Sequence, residues 1–423
     1  MNSLKTKSFL FNAFFLLLCS ILLFGRSFVG IYIFGFRIGE YLIAASLFLT
    51  LAGIAVFFKN PDLYKKFRFI VLTNIALVIS FLLTIVLTNS SLFNTYTYKS
   101  SSYIWTLGYI YLGYFVFKFN DFSDRHLVIL FAISLVTYIN SILVFYLPEF
   151  LVDFFTTYSD KLERPKGSDL VMVFVVASYF TLKKYAYKRW VLDVFIATSA
   201  LYLPLVIWKS RGAFLGFSAY VIFQLVKNRK HFKDSLQRNF LILIVSGILF
   251  FISSLSIVRG SNLDWAYDEV VPAVTNRRVS DSKWLLLYIE DGRIYSYDGN
   301  ANWRLQIWQD VIFDSIEDQT YIYGVGYSEI IPAMDDPSRQ GWDGLNENVH
   351  NFLVNNYARG GLIHLGLFMG LFWFLFFRNK DKSIFIYTTP FFIASFFDAS
   401  MENAHFPIIF YFFLGSLFKE DLD

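Results

Sequence analysis

The chain alternates long apolar runs with short polar breaks, and Arg259 to His350 is its only long stretch that is not hydrophobic. The apolar runs fall at roughly Phe9–Phe24, Ile38–Phe58, Phe69–Leu87, Tyr103–Phe117, Leu127–Leu147, Leu170–Leu182, Val191–Trp208, Ala213–Val226, Phe240–Val258, Phe352–Phe377, Ile384–Phe397 and Phe406–Phe418. At 1.5 Å per helical residue, runs of this length suit the ~30 Å hydrocarbon slab of a bilayer. The pattern predicts an all-α integral membrane protein with about twelve transmembrane helices and one large, partly helical loop between helices nine and ten. Residues 1–258 then carry the first nine helices, 259–350 form the loop domain, and 351–423 carry the last three. The sixth, eleventh and twelfth runs are short, which implies a different tilt, extension by flanking residues or a partly re-entrant path. The first run is long and no small-residue cleavage site follows it, so it is expected to remain as a span.

Within the polar interval, Asn302–Ile316 has helical periodicity. Leu305, Trp308, Ile312 and Ile316 recur at spacings of three and four, with Asp310, Asp314 and Glu317 opposite. The apolar stripe is expected to pack toward the membrane bundle. Turn signals follow at Gly324-Val325-Gly326 and Asp335-Asp336-Pro337.

Composition strengthens the membrane reading. The chain is 56% hydrophobic and 21% aromatic, with 51 Phe, above the ~45–50% apolar share of a soluble domain. Its one cysteine, Cys19, excludes an intramolecular disulfide. Lys and Arg concentrate in alternate breaks, such as Lys59 to Arg68, Lys183 to Arg189 and Lys227 to Arg238. This bias predicts both termini in the cytoplasm and the long loop outside. The loop is acidic and the remainder basic, so the net charge of +4 hides two opposite populations. The basic segments are read as bilayer partners, with no nucleic acid implied.

Three places point to chemistry, the first of them because it runs against the charge bias. Ser210-Arg211-Gly212-Ala213 joins the seventh and eighth runs on the outer side. If a helix opens there, its first-turn N–H groups beside Arg211 form an anion site suited to phosphate; a snorkelling arginine against ordinary lipid is the alternative. Arg304 stands out because its predicted loop helix has a face that must dock, where a guanidinium could help clamp a pyrophosphate; for it, as for Arg277, Arg278, Arg293 and Arg339, a surface salt bridge to a neighbouring acid is the plainer reading. His350, followed by Asn351, sits at the polar-to-apolar boundary, where a neutral imidazole can accept a proton from a hydroxyl; a helix cap or surface residue is the plainer reading. No second His stands at metal-ligand spacing, so no metal is expected. Arg359 and His364 lie deeper in the tenth run, on opposite faces of a straight helix. Asp398 to His405 adds polar groups on the same outer surface, in a junction short enough to help wall a cavity.

Taken in order, Ser210-Arg211-Gly212-Ala213, Arg304 with Trp308, Gly324-Val325-Gly326, and His350-Asn351 with Gly361 resemble the O-antigen ligase and O-antigen polymerase superfamily. The resemblance implies a bacterial inner-membrane glycosyltransferase, inverting and independent of metal or other cofactors, whose long loop is periplasmic. Its donor would be an undecaprenyl-pyrophosphate-linked glycan, and its acceptor lipid A–core or a second lipid-linked glycan. Arg211 and Arg304, with Ser210 and Asn351, would bind substrate, and His350 would be the catalytic base. The chain departs from the family pattern at His364 and Arg359, where relatives commonly carry a small residue and an acid. A lipid-linked glycan flippase or polysaccharide transporter is the alternative, although repeated halves and midplane charges are not evident.

Overall fold

The computed structural model describes residues 2–142, 147–233, 235–260, 287–297, 299–340, 347–377 and 383–418. Within these residues every apolar run falls on helix, the fourth on two pieces, Ser102–Trp105 and Gly108–Phe119. Six helices are long and apolar enough to cross a membrane: Ile38–Lys59, Pro61–Leu87, Asp124–Ile142, Arg189–Lys209, Leu236–Ile257 and Phe352–Phe377. Shorter apolar helices include Phe11–Phe24, Ser383–Phe396 and His405–Leu417. Among the described residues, sheet is limited to two hairpins, Tyr32–Ile33 with Phe36–Arg37 and Leu287–Glu290 with Arg293–Ser296. The protein is therefore an all-α, multi-pass membrane protein.

Its surface fits lipid as the solvent. Only 6% of the apolar window in Leu236–Ile257 is buried, so Phe240, Leu243 and Phe251 project outward from a helix packed chiefly on Arg189–Lys209. An apolar face of that length is untenable in water and unremarkable against acyl chains. At the opposite extreme, every residue of His405–Leu417 is buried. This helix meets Gly108–Phe119 backbone to backbone. A Cβ at Gly113 would stand 1.9 Å from the Phe412 carbonyl oxygen, and one at Gly415 would stand 2.1 Å from that of Ile110. Small residues at such crossings let dispersion act over the whole helix length, where no hydrophobic force drives association.

The helix Phe352–Phe377 is broken rather than straight. Gly361 has φ +66°, and a Cβ there would lie 2.2 Å from the Ile322 carbonyl oxygen. The groups freed by the break are taken up by the loop. Val325 and Gly326 donate to the carbonyls of Ala358 and Arg359 at 2.8 and 3.3 Å, while Leu362 and Ile363 donate to those of Tyr321 and Ile322 at 2.8 and 3.3 Å. Irregular backbone at this depth is tolerated because protein supplies its partners. Straight-helix spacing from His350 to His364 therefore does not apply. Arg359 is buried, donating to the carbonyls of Gly326 and Glu329 and to the Tyr96 hydroxyl. His364 Nδ1 lies 3.1 and 3.0 Å from the hydroxyls of Tyr103 and Tyr327.

The loop helix spans Gly299–Glu317, as its periodicity predicts, but it is rotated from the expected facing. Ile307, Val311, Ser315 and Asp310 are buried, whereas Ile312 and Ile316 are exposed. The cause is Asp310, which turns inward to meet two arginines. It binds Arg293 at 2.7 Å and also pairs with Arg339. Both arginines thus pair with an acid as expected, while Arg277 and Arg278 lie outside the described residues. Ile307 and Val311 build a small core with Ile331, Met334, Val349 and Ala358, which seats the loop helix on the broken helix.

Candidate active site

Ser210 separates two helices by a single residue. Arg189–Lys209 ends before it, and Arg211–Lys227 begins after it. The serine is extended (φ −162°, ψ 129°), and its Oγ accepts from the Ala213 N–H at 3.3 Å, which makes it the N-cap. Arg211 is thus the first helical residue, exposed beside the remaining first-turn donors. The next residue, Gly212, packs so closely that a Cβ would stand 2.3 Å from that of Phe397.

Phe397 also holds Arg304. Nη1 of Arg304 donates to the Phe397 carbonyl oxygen at 2.6 Å, reaching from the loop helix to the turn after Ser383–Phe396. One turn therefore touches both elements that carry the predicted arginines: its side chain lies on Gly212 and its carbonyl on Arg304.

His350 completes the group from the other end of the loop. Its backbone is left-handed, φ +55°, an uncommon conformation for an imidazole-bearing residue. Contacts on both sides hold it there. Trp308 Nε1 donates to the Val349 carbonyl at 2.7 Å, and the Trp303 ring meets the imidazole edge-on at 5.1 Å between centroids. Asn351 then caps the following helix, its Oδ1 accepting from the N–H groups of Leu353 and Val354 at 2.9 and 3.2 Å. Asn351 and Ser210 share one task, capping a helix beside a candidate site residue.

Electrostatics tie these pieces together. His350 is pushed down to about 4, first by burial and then by the Arg304 charge, with Lys166 acting the same way and Asp398 opposing. At neutral pH the ring is therefore uncharged and able to accept a proton. Asp398 follows Phe397 directly; its carboxylate accepts from Ser168 Oγ at 2.8 Å and from the Ala399 N–H at 2.8 Å. Lys166 precedes Gly167, which packs against the Cβ atoms of Ser210 and Ala213. The structure thus gathers Arg304, His350 and the Ser210–Arg211 helix start around the Phe397–Asp398 turn, at one end of the bundle.

Sequence reasoning did not single out Trp303, Lys166 or Asp398 as members of this group. Lys166 carried a usable signal, since it breaks the charge bias as Arg211 does. Asp398 was visible only as part of a polar junction.

Residues 194–369 match the O-antigen ligase family, a segment that includes Arg211, Arg304 and His350. The match supports membership of the O-antigen ligase and polymerase superfamily over that segment. No curated protein matches the chain in sequence. The match supports, in general terms, a membrane glycosyltransferase activity on lipid-linked glycans. The matched O-antigen ligase segment stops short of Asp398 and does not reach back to Lys166, so this wall of the site comes from helices outside it.

Proposed function

We propose that the protein is an inverting, metal-independent glycosyltransferase of the bacterial inner membrane. It crosses the bilayer twelve times with both termini in the cytoplasm. It moves glycan from undecaprenyl pyrophosphate to an acceptor hydroxyl on the periplasmic side, the acceptor being lipid A–core or a second lipid-linked glycan. The observation that carries this reading is the convergence of two arginine-bearing elements and one uncharged imidazole on a single turn.

In the reaction, the acceptor oxygen bonds to the anomeric carbon from the face opposite the leaving group. The bond from that carbon to the pyrophosphate oxygen breaks, and its electron pair departs on undecaprenyl pyrophosphate. The acceptor's proton passes to His350. Arg211 and Arg304 offset the charge that develops on the departing pyrophosphate, aided by the first-turn N–H groups of Arg211–Lys227. The bond from Arg304 to the Phe397 carbonyl fixes the direction of its guanidinium before substrate arrives. Ser210 and Asn351 support binding by holding Arg211 and His350 in place.

The test is transfer by the purified chain from undecaprenyl-pyrophosphate glycan to each acceptor class. Loss of a general base costs about 10²–10⁴ in rate, so His350→Ala should reduce transfer to that extent while inserting normally. Undiminished transfer by His350→Ala would remove the base assignment.

A further inference from the structure

Beside the Glu402–His405 stretch lies a cavity of about 510 Å³. Its walls come from the Tyr32–Arg37 hairpin, the start of Ile38–Lys59, the short helices between Thr95 and Trp105, and the Glu402–His405 stretch. The geometry points to this cavity as the site for the saccharide headgroup of a lipid-anchored acceptor. This assignment rests on the glycosyltransferase reading.

Three observations carry it. First, the cavity is rimmed by exposed apolar and aromatic side chains. The hairpin exposes Tyr32, Ile33, Phe34 and Phe36, with Phe34 95% accessible, as expected of a tip embedded among lipid headgroups. Ile43, Ala44 and Leu47, within little more than one turn of a span-length helix, give the cavity an apolar wall. A ligand there can keep its tail in lipid while its headgroup occupies the cavity.

Second, the polar lining is matched in charge. Arg26 pairs with Glu163 at 3.1 Å, Arg37 with Asp160 at 3.1 Å and Lys99 with Glu347 at 2.6 Å. These cations already have carboxylates, so a pyrophosphate finds little to neutralise it here. Paired ionic groups beside Trp105 and Tyr98 offer donors, acceptors and flat apolar faces together, which suits a polyhydroxyl ring. The volume lies within the ~300–1,000 Å³ of small-ligand pockets, room for a short oligosaccharide and not for a polymer.

Third, Glu402 lies in this wall with Oε1 buried and without a hydrogen-bond partner among the described residues. A buried oxygen of this kind calls for a donor, which a sugar hydroxyl supplies. Four residues earlier in the same segment, Asp398 acts on His350. One short stretch of chain thus separates the headgroup cavity from the reacting centre.

The test uses the full chain in nanodiscs and a synthetic diacyl glycolipid carrying a trisaccharide without phosphate, which has no group for the arginine pair. Wild type should bind one equivalent. Ala44→Trp, at an exposed position in the cavity lining, should weaken binding at least tenfold, and Ala44→Leu should do so less. Arg304→Ala should leave binding of this probe unchanged. In transfer assays Ala44→Trp should raise the acceptor KM about tenfold and leave the donor KM alone. Undiminished glycolipid binding by both Ala44 variants, or equal displacement by phosphatidylglycerol, overturns the assignment whether or not the enzyme transfers glycan. Loss of glycolipid binding in an enzyme that transfers to no acceptor leaves a saccharide site standing and overturns its acceptor role, together with the proposed function.

Discussion

Replacing Arg304 by glutamine tests the link between the cation and the base. His350 is lowered from 6.5 to about 4, so the folded site disfavours the imidazolium by about 3 kcal/mol at 1.36 kcal/mol per unit. Burial is the leading cause and persists in the variant; the Arg304 charge is the second and is removed. A single charge acting across a partly screened separation is worth on the order of one unit, so His350 in Arg304→Gln should titrate higher by about that amount and remain below 6.5. The assay is the pH dependence of transfer. The acid limb of kcat/KM reports the free enzyme and that of kcat the bound complex. In wild type the kcat/KM limb should fall near pH 4. The kcat limb should lie higher, because bound pyrophosphate counters Arg304 and restores basicity to the ring when it is needed. In Arg304→Gln the kcat/KM limb should move up and the gap between the two limbs should shrink. Identical limbs in both proteins would refute the coupling, and an acid limb that survives His350→Ala would show that another group is being titrated.

Further outcomes follow from the same contacts. Because His350 binds a proton more readily when unfolded, stability should be fully present above pH 6.5 and decline by up to about 3 kcal/mol as pH falls toward 4; thermal melts of His350→Gln should lose that part of the acid sensitivity. Glu402 is the opposite case. Burial pushes it up to about 8, so its contribution is present below pH 4.5 and lost as pH rises through 8, and Glu402→Gln should melt higher than wild type at pH 9. Gly361→Ala would force a side chain into a left-handed position against the Ile322 carbonyl, costing about 1–3 kcal/mol for the backbone alone; reduced yield and a lower melting temperature in detergent would register it. Asn351→Ala should cost about 1 kcal/mol through the lost cap and lower kcat by loosening His350, while Asn351→Ser, which can still cap, should recover most of both.

The helices were legible because lipid imposes a length and a polarity that any reader of the chain can measure. The candidate site was partly legible for a related reason: Arg211 stands where the charge bias disfavours a cation, Arg304 lies on a helix with a face that must dock, and His350 stands at a polarity boundary. The facing of the loop helix was not, because periodicity assigns Asp310 to the wet side and cannot anticipate that two arginines, one 29 residues downstream, will draw it inward. The break at Gly361 was likewise hidden. The Gly360-Gly361 pair is a turn signal by itself, but inside an apolar run it reads as helix, and it is the approach of Tyr321 to Gly326 that makes it a junction. Asp398 and Lys166 belong to elements far apart in sequence, so their meeting at His350 is a property of the assembled bundle.

The burial of His405–Leu417 has a consequence for how the protein is made. The segment is synthesised after Asn2–Phe24, Gly108–Phe119, Gly167–Tyr185 and Ser383–Phe396, yet it lies between them. The earlier helices must therefore wait in the bilayer with their mutual seam unfilled until this late piece leaves the insertion machinery. A ribosome stalled before it would leave an incomplete barrel of helices open to quality-control proteases, so nonsense changes this far along the gene should behave as nulls.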